Sequence, residues 1–294
     1  MSDAAALRAL FQAVRDGNVA AHEATLQRAA TPWPLLAAAL RRHAGRAQDA
    51  QVYNQPAAFE AFIRGGGNVP LYRQVSATLA GQYTPDVQAL LDIGCGDGEA
   101  LFPALAAHPR HALQRLTLLE PAGALLSSAV ARAQAEQPVL PVQALNEGLG
   151  AFTARLQAGD RWDVAQATFA LQAIPEAKRW AGLARLRAHV RRLVIVEFDI
   201  PPLARDTDEH LMSLASRYER ALGEYDGATR ELVAQGFLLP MFLGQLDAQT
   251  AATNWEHPAP HWAAQLAGQG WRVQAPAMIC DYFWAPAFVL VADA

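Results

Sequence analysis

The sequence is short of three things: cysteine, net positive charge and long apolar runs. Two of its 294 residues are cysteines, Cys95 and Cys280, so we expect no disulfide framework and a reducing compartment. The net charge of −4 argues against a nucleic-acid partner. No apolar run approaches the ~20 residues that cross a bilayer, and the first residues have no apolar signal core. We therefore predict a cytoplasmic protein that neither spans a membrane nor binds nucleic acid.

What the chain does have is enough apolar material for a large core, since 52% of its residues are hydrophobic and 18% are charged. The first part has a helical pattern, with Leu7, Leu10 and Phe11 on one face. From residue 87 onward, short apolar runs alternate with helical stretches. We predict strands at 87–93, 116–119, 139–145, 164–169 and 192–198. This alternation indicates parallel strands with helices on both faces.

The alternation stops after Pro201 and Pro202. Residues 203–256 have a helical pattern, and the core resumes with a helix at 260–267 and strands near 273–280 and 287–292. We predict a doubly wound, Rossmann-like α/β fold with a mostly parallel seven-stranded sheet whose last strand is antiparallel. Residues 1–84 form an N-terminal helical cap in this prediction, and 85–294 form the core with an insert at 203–256.

A glycine-rich turn follows the first strand, where Gly94, Gly96 and Gly98 alternate with other residues and Asp92 ends the strand. Glycine lets the backbone approach a ligand closely because it has no Cβ and tolerates positive φ. A nicotinamide or flavin fingerprint would have a further glycine where this chain has Glu99. The Asp92 carboxylate would repel a pyrophosphate and attract a cation. We therefore expect a cationic or zwitterionic ligand.

A second acidic residue, Glu120, ends the second strand. A carboxylate at this position accepts hydrogen bonds from the two ribose hydroxyls of an adenosine group. With the glycine turn, Glu120 favours an adenosyl ligand that carries positive charge.

These residues resemble the class I S-adenosylmethionine-dependent methyltransferases. Asp92, Gly94, Gly96 and Gly98 match the first motif of that family, and Glu120 matches its ribose-binding acid. The resemblance covers residues 85–200, and 258–292 by topology only. It implies S-adenosyl-L-methionine as cofactor and in-line methyl transfer to a nucleophile. Because a sulfonium is already a good leaving group, the protein mainly supplies alignment and exclusion of water.

The resemblance also implies further site residues. Besides the residues already named, those expected to bind the cofactor are Cys95, Pro121, Leu145, Asn146, Phe169 and Tyr53. Those expected to bind the substrate are Gln172, Tyr72, Glu197 and Tyr218. Gln172 stands where many relatives have histidine, so no catalytic base is assigned. For Glu197 two alternatives stay open: it binds an amine acceptor, or it bonds neighbouring backbone amides.

His257 and His261 have a spacing typical of metal ligands, and Glu256 is adjacent. Pro258 and Pro260 interrupt the helix that would align the two rings. We therefore predict a surface or pocket-rim role and no metal site.

The acidic balance and the two capping segments favour a small-molecule acceptor, with N- or O-methylation in specialised metabolism. Two rival functions stay open. One is a nicotinamide-dependent oxidoreductase, and the other is a non-catalytic relative that binds S-adenosylmethionine. Whether the chain forms a homodimer is also open.

Overall fold

The computed structural model describes residues 3–15, 24, 27, 32–44, 56–108, 112–205, 207–246 and 254–294. Their contacts form two compact units. The helical unit takes the described residues within 1–69, 202–251 and 282–284. The sheet unit takes those within 70–201, 252–281 and 285–294. The prediction that residues 1–84 and the insert act as a cap stays a prediction.

The described α-helices occur in both units. None among the described residues combines the length and apolarity that crossing a bilayer requires. They are α1 (Asp3–Arg15), α2 (Pro34–Ala44), α3 (Pro56–Ile63), α4 (Asn68–Ala80), α5 (Leu101–Ala107), α6 (Gly123–Glu136), α7 (Leu149–Ala154), α8 (Glu176–Leu186), α9 (Asp208–Gly223), α10 (Gly227–Val233), α11 (Leu239–Leu246) and α12 (Ala259–Gly268).

The sheet has the strand order β3-β2-β1-β4-β5-β8-β6, with β7 also paired to β8. Strands β1 to β5 are parallel, and β8 is antiparallel to β5, β6 and β7. This confirms the predicted doubly wound class with an antiparallel last strand. The strands are β1 (Ala89–Ile93), β2 (Arg115–Leu119), β3 (Val142–Leu145), β4 (Trp162–Thr168), β5 (Val190–Phe198), β6 (Arg272–Val273), β7 (Ala277–Cys280) and β8 (Ala287–Asp293).

The sheet has eight strands where seven were predicted, because the strand expected near 273–280 is divided into β6 and β7. Pro276 lies in the gap, and proline has no N–H to donate to a sheet. The register against β8 also shifts between Met278 and Cys280. The two short strands share one edge of β8 and together occupy the seventh position of the sheet.

In the helical unit, the predicted apolar face of α1 is confirmed, since Leu7, Leu10 and Phe11 are buried. Two of the three glycines in the turn after α3 pack against Tyr225. A Cβ on Gly65 or Gly66 would lie 2.9 or 2.8 Å from the Tyr225 ring. The Tyr225 hydroxyl donates to the Phe62 carbonyl at 2.9 Å. Close packing against this ring therefore requires residues without side chains.

The core of the sheet unit lies between the strands and helices α7, α8 and α12. Trp162, Trp262 and Phe288 are among the large side chains buried there. Since the buried strands leave their carboxyl ends along one edge, the loops after β1, β2, β3, β4 and β5 meet at that edge. Most of the residues predicted for the site follow these five strands.

Candidate functional site

The glycine loop after β1 is held in a conformation that favours glycine. Gly94, Gly96 and Gly98 have φ values of +66°, +55° and +82°. The Gly94 and Cys95 amides both donate to the Leu119 carbonyl, at 2.7 and 3.2 Å, which joins the loop to the end of β2. A Cβ on Gly96 would meet nothing within 4 Å. The loop is therefore fixed at one end and open in the middle.

The Glu120 side chain binds the backbone in the middle of this loop. Its Oε2 accepts from the Gly96 amide at 3.1 Å, and its Oε1 accepts from the Ala122 amide at 2.8 Å. Glu120 is 7% exposed. A carboxylate has about four acceptor positions, and these two bonds use two of them. The remaining positions can accept hydrogen bonds from two hydroxyl groups, so this carboxylate fits the ribose of an adenosyl group.

Asp92 lies beneath the loop as a buried carboxyl group. Burial raises its pKa to about 7; the Gln166 amide opposes this rise, and the neighbouring Glu120 charge adds to it. The Tyr83 hydroxyl donates to Gln166 Oε1 at 2.8 Å, which orients that amide. A cation near Asp92 would favour the ionised carboxylate. This buried acid therefore fits the cationic amino-acid end of the expected ligand.

The loop after β4 begins at Phe169, which has a φ of +51°. Among the described residues, Phe169 is the non-glycine residue with a positive φ. Its ring stacks on Phe198 with centroids 4.3 Å apart and an interplanar angle of 7°. Tyr72 meets the same ring edge-on, with centroids 6.2 Å apart. Burial, followed by the charges of Asp97 and Glu99, raises the pKa of Tyr72 to about 12. Phe169, Phe198 and Tyr72 therefore form a neutral aromatic wall, which lies near the acidic residues Asp97 and Glu99.

Glu197 fixes the 3-10 turn Leu171–Ala173, which follows Phe169. Its Oε1 accepts from the Leu171 and Gln172 amides, at 3.0 and 3.1 Å. Of the two alternatives for Glu197, the structure shows the bonds to neighbouring backbone amides. Burial raises the pKa of this carboxyl to about 8, against the effect of the Gln172 amide.

Arg179 holds the same turn from α8. Its Nη1 donates to the carbonyls of Leu171 and Trp255, at 3.2 and 2.9 Å. The guanidinium carbon lies 4.8 Å from the ring centroid of Trp180 and 4.2 Å from that of Trp262. Sequence reasoning missed Arg179, Gln166 and Tyr83, because only the fold brings them to the site. The glutamine between Ala165 and Ala167, in the predicted strand 164–169, was the one available signal.

Asn146, Leu145 and Cys95, which were predicted to bind the cofactor, lie on or beside the loops after β1, β2 and β3. Asn146 Nδ2 donates to the Glu120 and Pro121 carbonyls, both at 2.9 Å, and so braces the loop after β2. Leu145 ends β3 in the same region. Cys95 is buried, and burial raises the pKa of its thiol well above the ordinary value, so it is a packed neutral group.

For two predicted residues, no contact at this edge of the sheet unit is described. Tyr218 belongs to the helical unit, where its ring packs on Phe242 with centroids 4.5 Å apart. Tyr53 lies outside the described residues.

Comparisons with known proteins bear on the fold. In sequence, no family model and no curated protein matches the chain. In structure, an O-methyltransferase family protein from Burkholderia thailandensis aligns with 77% of this chain and 55% of its own, at 14% identity and a TM-score of 0.51. The mitomycin 7-O-methyltransferase aligns with 92% of this chain and 71% of its own, at 18% identity and a TM-score of 0.50.

A small RNA methyltransferase is similar over 75% of this chain and 25% of its own, at 12% identity and a TM-score of 0.50. Enzymes whose names state different acceptors thus have folds similar to that of this chain. The chain has the fold of the class I S-adenosylmethionine-dependent methyltransferases.

Proposed function

We propose that this chain is an S-adenosylmethionine-dependent methyltransferase with a small-molecule acceptor. One observation carries the proposal: the positive-φ glycine loop is closed by Glu120 through the Gly96 amide and lies above the buried Asp92. This arrangement offers acceptors for ribose hydroxyls and a negative site for an ammonium group. It offers no anion site for a pyrophosphate, which disfavours the nicotinamide alternative.

The proposed roles follow from these positions. Glu120 binds the ribose, and Asp92 attracts the ammonium group of the cofactor. Phe169 and Tyr72 contact the methionine end, where an aromatic face stabilises a cation. The adenine lies against Leu145, Pro121 and Asn146, with the Cys95 backbone beside it. Tyr53 and Tyr218 stay predictions for cofactor and substrate contact.

In the proposed reaction, the bound cofactor supplies an electrophilic methyl group. Glu120 and Asp92 would hold the cofactor, so that its methyl group would face the acceptor's lone pair. The residues of this chain align the acceptor and exclude water. Glu197 contributes indirectly, because it fixes the turn that presents Gln172. Arg179 holds that turn from the opposite end.

A small acceptor is favoured by two features of the chain. The net charge of −4 gives no electrostatic attraction for a nucleic-acid phosphate backbone. The aromatic rings of Tyr72, Phe169 and Phe198 form a compact apolar surface suited to a small organic molecule. N- or O-methylation is proposed on this basis.

The decisive experiment measures binding of S-adenosylhomocysteine, NAD and NADP by thermal shift and calorimetry. We expect S-adenosylhomocysteine to raise the melting temperature and the two dinucleotides to leave it unchanged. Glu120→Ala should weaken binding about 100-fold or more, since two buried hydroxyl contacts are lost. Glu136→Ala is the control, because this exposed residue at the end of α6 pairs with Arg132 and makes no described contact with Glu120. Stabilisation by NAD, or equal binding by both variants, would overturn the proposal.

Turnover is tested separately by incubating the protein with the labelled cofactor and a panel of small phenols, amines and RNA. Methylation of a small molecule is expected. Binding of S-adenosylhomocysteine without transfer to any small acceptor would favour the non-catalytic alternative, and transfer to RNA alone would overturn the proposed acceptor class.

A further inference from the structure

A second cluster of polar side chains lies in the sheet unit, on the far side of the turn that Arg179 holds. Glu176 is the first residue of α8, His261 lies in the first turn of α12, and His257 precedes that helix by two residues. One donor atom from each lies within 4.8 Å of the other two. Among the residues that the structure describes, these are the three potential metal-ligating side chains that lie close enough together to share one ion.

The separations between these donor atoms suit a metal ion. His261 Nε2 lies 3.1 Å from Glu176 Oε1, and His257 Nε2 lies 3.6 Å from Glu176 Oε2. Zinc binds nitrogen and oxygen at about 2.0–2.2 Å, so two donors of a tetrahedral site lie about 3.3 Å apart. The two observed distances, each to a different oxygen of Glu176, lie on either side of that value.

The rings are already neighbours. The His257 and His261 imidazoles stack with centroids 4.1 Å apart and an interplanar angle of 18°. Because an imidazole lone pair lies in the plane of its ring, two stacked, nearly parallel rings cannot both direct a nitrogen at one ion, so one ring has to turn. The His261 side chain is 32% exposed, which leaves it room to turn. His257 Nε2 makes no hydrogen bond, so binding an ion would cost it none.

The carboxylate is oriented before any ion binds. Trp180 Nε1 donates to Glu176 Oε1 at 3.2 Å, and the Trp180 ring packs edge-on against Trp262. Such bonds from outside the ligand set fix a ligand's direction and raise metal affinity. Arg179 acts on His257 with a positive charge, and Glu176 acts on it with a negative charge.

The donor set indicates the class of ion. Two imidazoles and one carboxylate suit zinc, cobalt or nickel, whereas calcium and magnesium prefer oxygen ligands throughout. We propose that Glu176, His257 and His261 bind one divalent transition-metal ion of the zinc class, with water at the remaining positions.

The position of this site gives the ion a structural role. Glu176 follows the turn Leu171–Ala173, and the Trp255 amide, two residues before His257, donates to the Gln172 carbonyl at 2.8 Å. An ion here would join the start of α8 to the segment that precedes α12. It would stabilise the turn without contacting the glycine loop.

The test begins with chelator-treated full-length protein. Zinc chloride is titrated by calorimetry, and cobalt chloride is followed by its visible absorption, whose intensity reports tetrahedral coordination. We expect one ion per chain, and about 10-fold or greater weakening in each of Glu176→Gln, His257→Ala and His261→Ala. His189→Ala is the matched control, since it removes a histidine elsewhere in the sheet unit and should bind as the parent does.

Melting temperatures of all four variants are measured with and without zinc. The parent and His189→Ala should be stabilised by zinc, whereas the three ligand variants should not. The proposal fails if the parent binds no zinc at millimolar concentration. It fails equally if the folded ligand variants keep the parent affinity, or if His189→Ala loses as much as they do. Because binding is read without any substrate or cofactor, this result is independent of the proposed methyl transfer.

Discussion

Gly94 lies directly against Ala170, so that a methyl group on Gly94 would overlap the Ala170 Cβ. These two residues follow β1 and β4, which are neighbours in the sheet. The contact therefore sets how closely the glycine loop approaches the aromatic wall that begins at Phe169.

Gly94→Ala should lower the free energy of unfolding by about 2–4 kcal/mol, because it adds overpacking to positive-φ strain. It should also abolish binding of S-adenosylhomocysteine. Urea denaturation and calorimetry measure the two effects. Gly150→Ala is the control, since a Cβ there meets nothing within 4 Å and should leave stability equal or slightly higher. Equal stability of Gly94→Ala and the parent would contradict the overlap.

Asp92 should make stability fall as pH rises toward neutrality. Its carboxyl has an ordinary pKa of 3.8 and a folded-state pKa of about 7. Between these values the folded chain holds a proton that the unfolded chain has lost. The free energy of unfolding therefore decreases with pH across this window, by up to about 1.4 kcal/mol per pH unit.

Asp92→Asn removes that contribution, so its stability relative to the parent should grow from pH 4 to pH 7 and then level off. Urea denaturation at pH 5, 6, 7 and 8 gives the difference curve. The parent should also bind S-adenosylhomocysteine more tightly as pH rises through 7, because a cation favours the ionised acid. A difference curve that is flat with pH would exclude this role for Asp92.

Glu197 should behave differently in two substitutions. Glu197→Ala leaves the Leu171 and Gln172 amides without their buried acceptor, and should lower the free energy of unfolding by about 1–3 kcal/mol per amide. Glu197→Gln keeps an acceptor oxygen and removes a carboxyl whose pKa is raised to about 8. Its stability relative to the parent should increase between pH 5 and pH 8. Denaturation at both pH values separates these outcomes, and equal losses in the two variants would contradict them.

Phe169 should favour the charged cofactor over its product. Phe169→Leu keeps an apolar side chain but removes the aromatic face that would stabilise a sulfonium. Affinity for S-adenosylmethionine should fall about 3- to 10-fold, with a smaller change for neutral-sulfur S-adenosylhomocysteine. Calorimetry with both compounds gives the ratio. Phe152→Leu, in the core beside Trp162, should change stability but leave that ratio as in the parent.

The sequence predicts the class of this fold well, because buried parallel strands have an apolar pattern that survives packing. It predicts strand ends less well. The third strand was expected from residue 139, but Val139 is 93% exposed and β3 begins at Val142. Pro138 and Pro141 have no N–H for the neighbouring strand. The division between β6 and β7 has the same origin.

The residues of the candidate site also differ in how well the sequence predicts them. Local spacing is enough to predict the roles of Gly94, Gly96 and Gly98 in the loop, and the structure confirms their positive φ values. It does not suffice for contacts made between distant segments. The sequence places Glu256 beside His257, yet the carboxylate that reaches both histidines is Glu176, more than 80 residues earlier. The chain order carries no signal of such a meeting.

The place of β8 also bears on how this protein could aggregate. Residues 287–293 lie between β5 and the short strands β6 and β7, so β8 is an interior strand although it follows β1 to β7 in the chain. Whenever β8 is detached, β5 presents a long unpaired edge, and such edges invite pairing with other chains. Substitutions that weaken the pairing of β8 with β5 should therefore promote aggregation as well as unfolding.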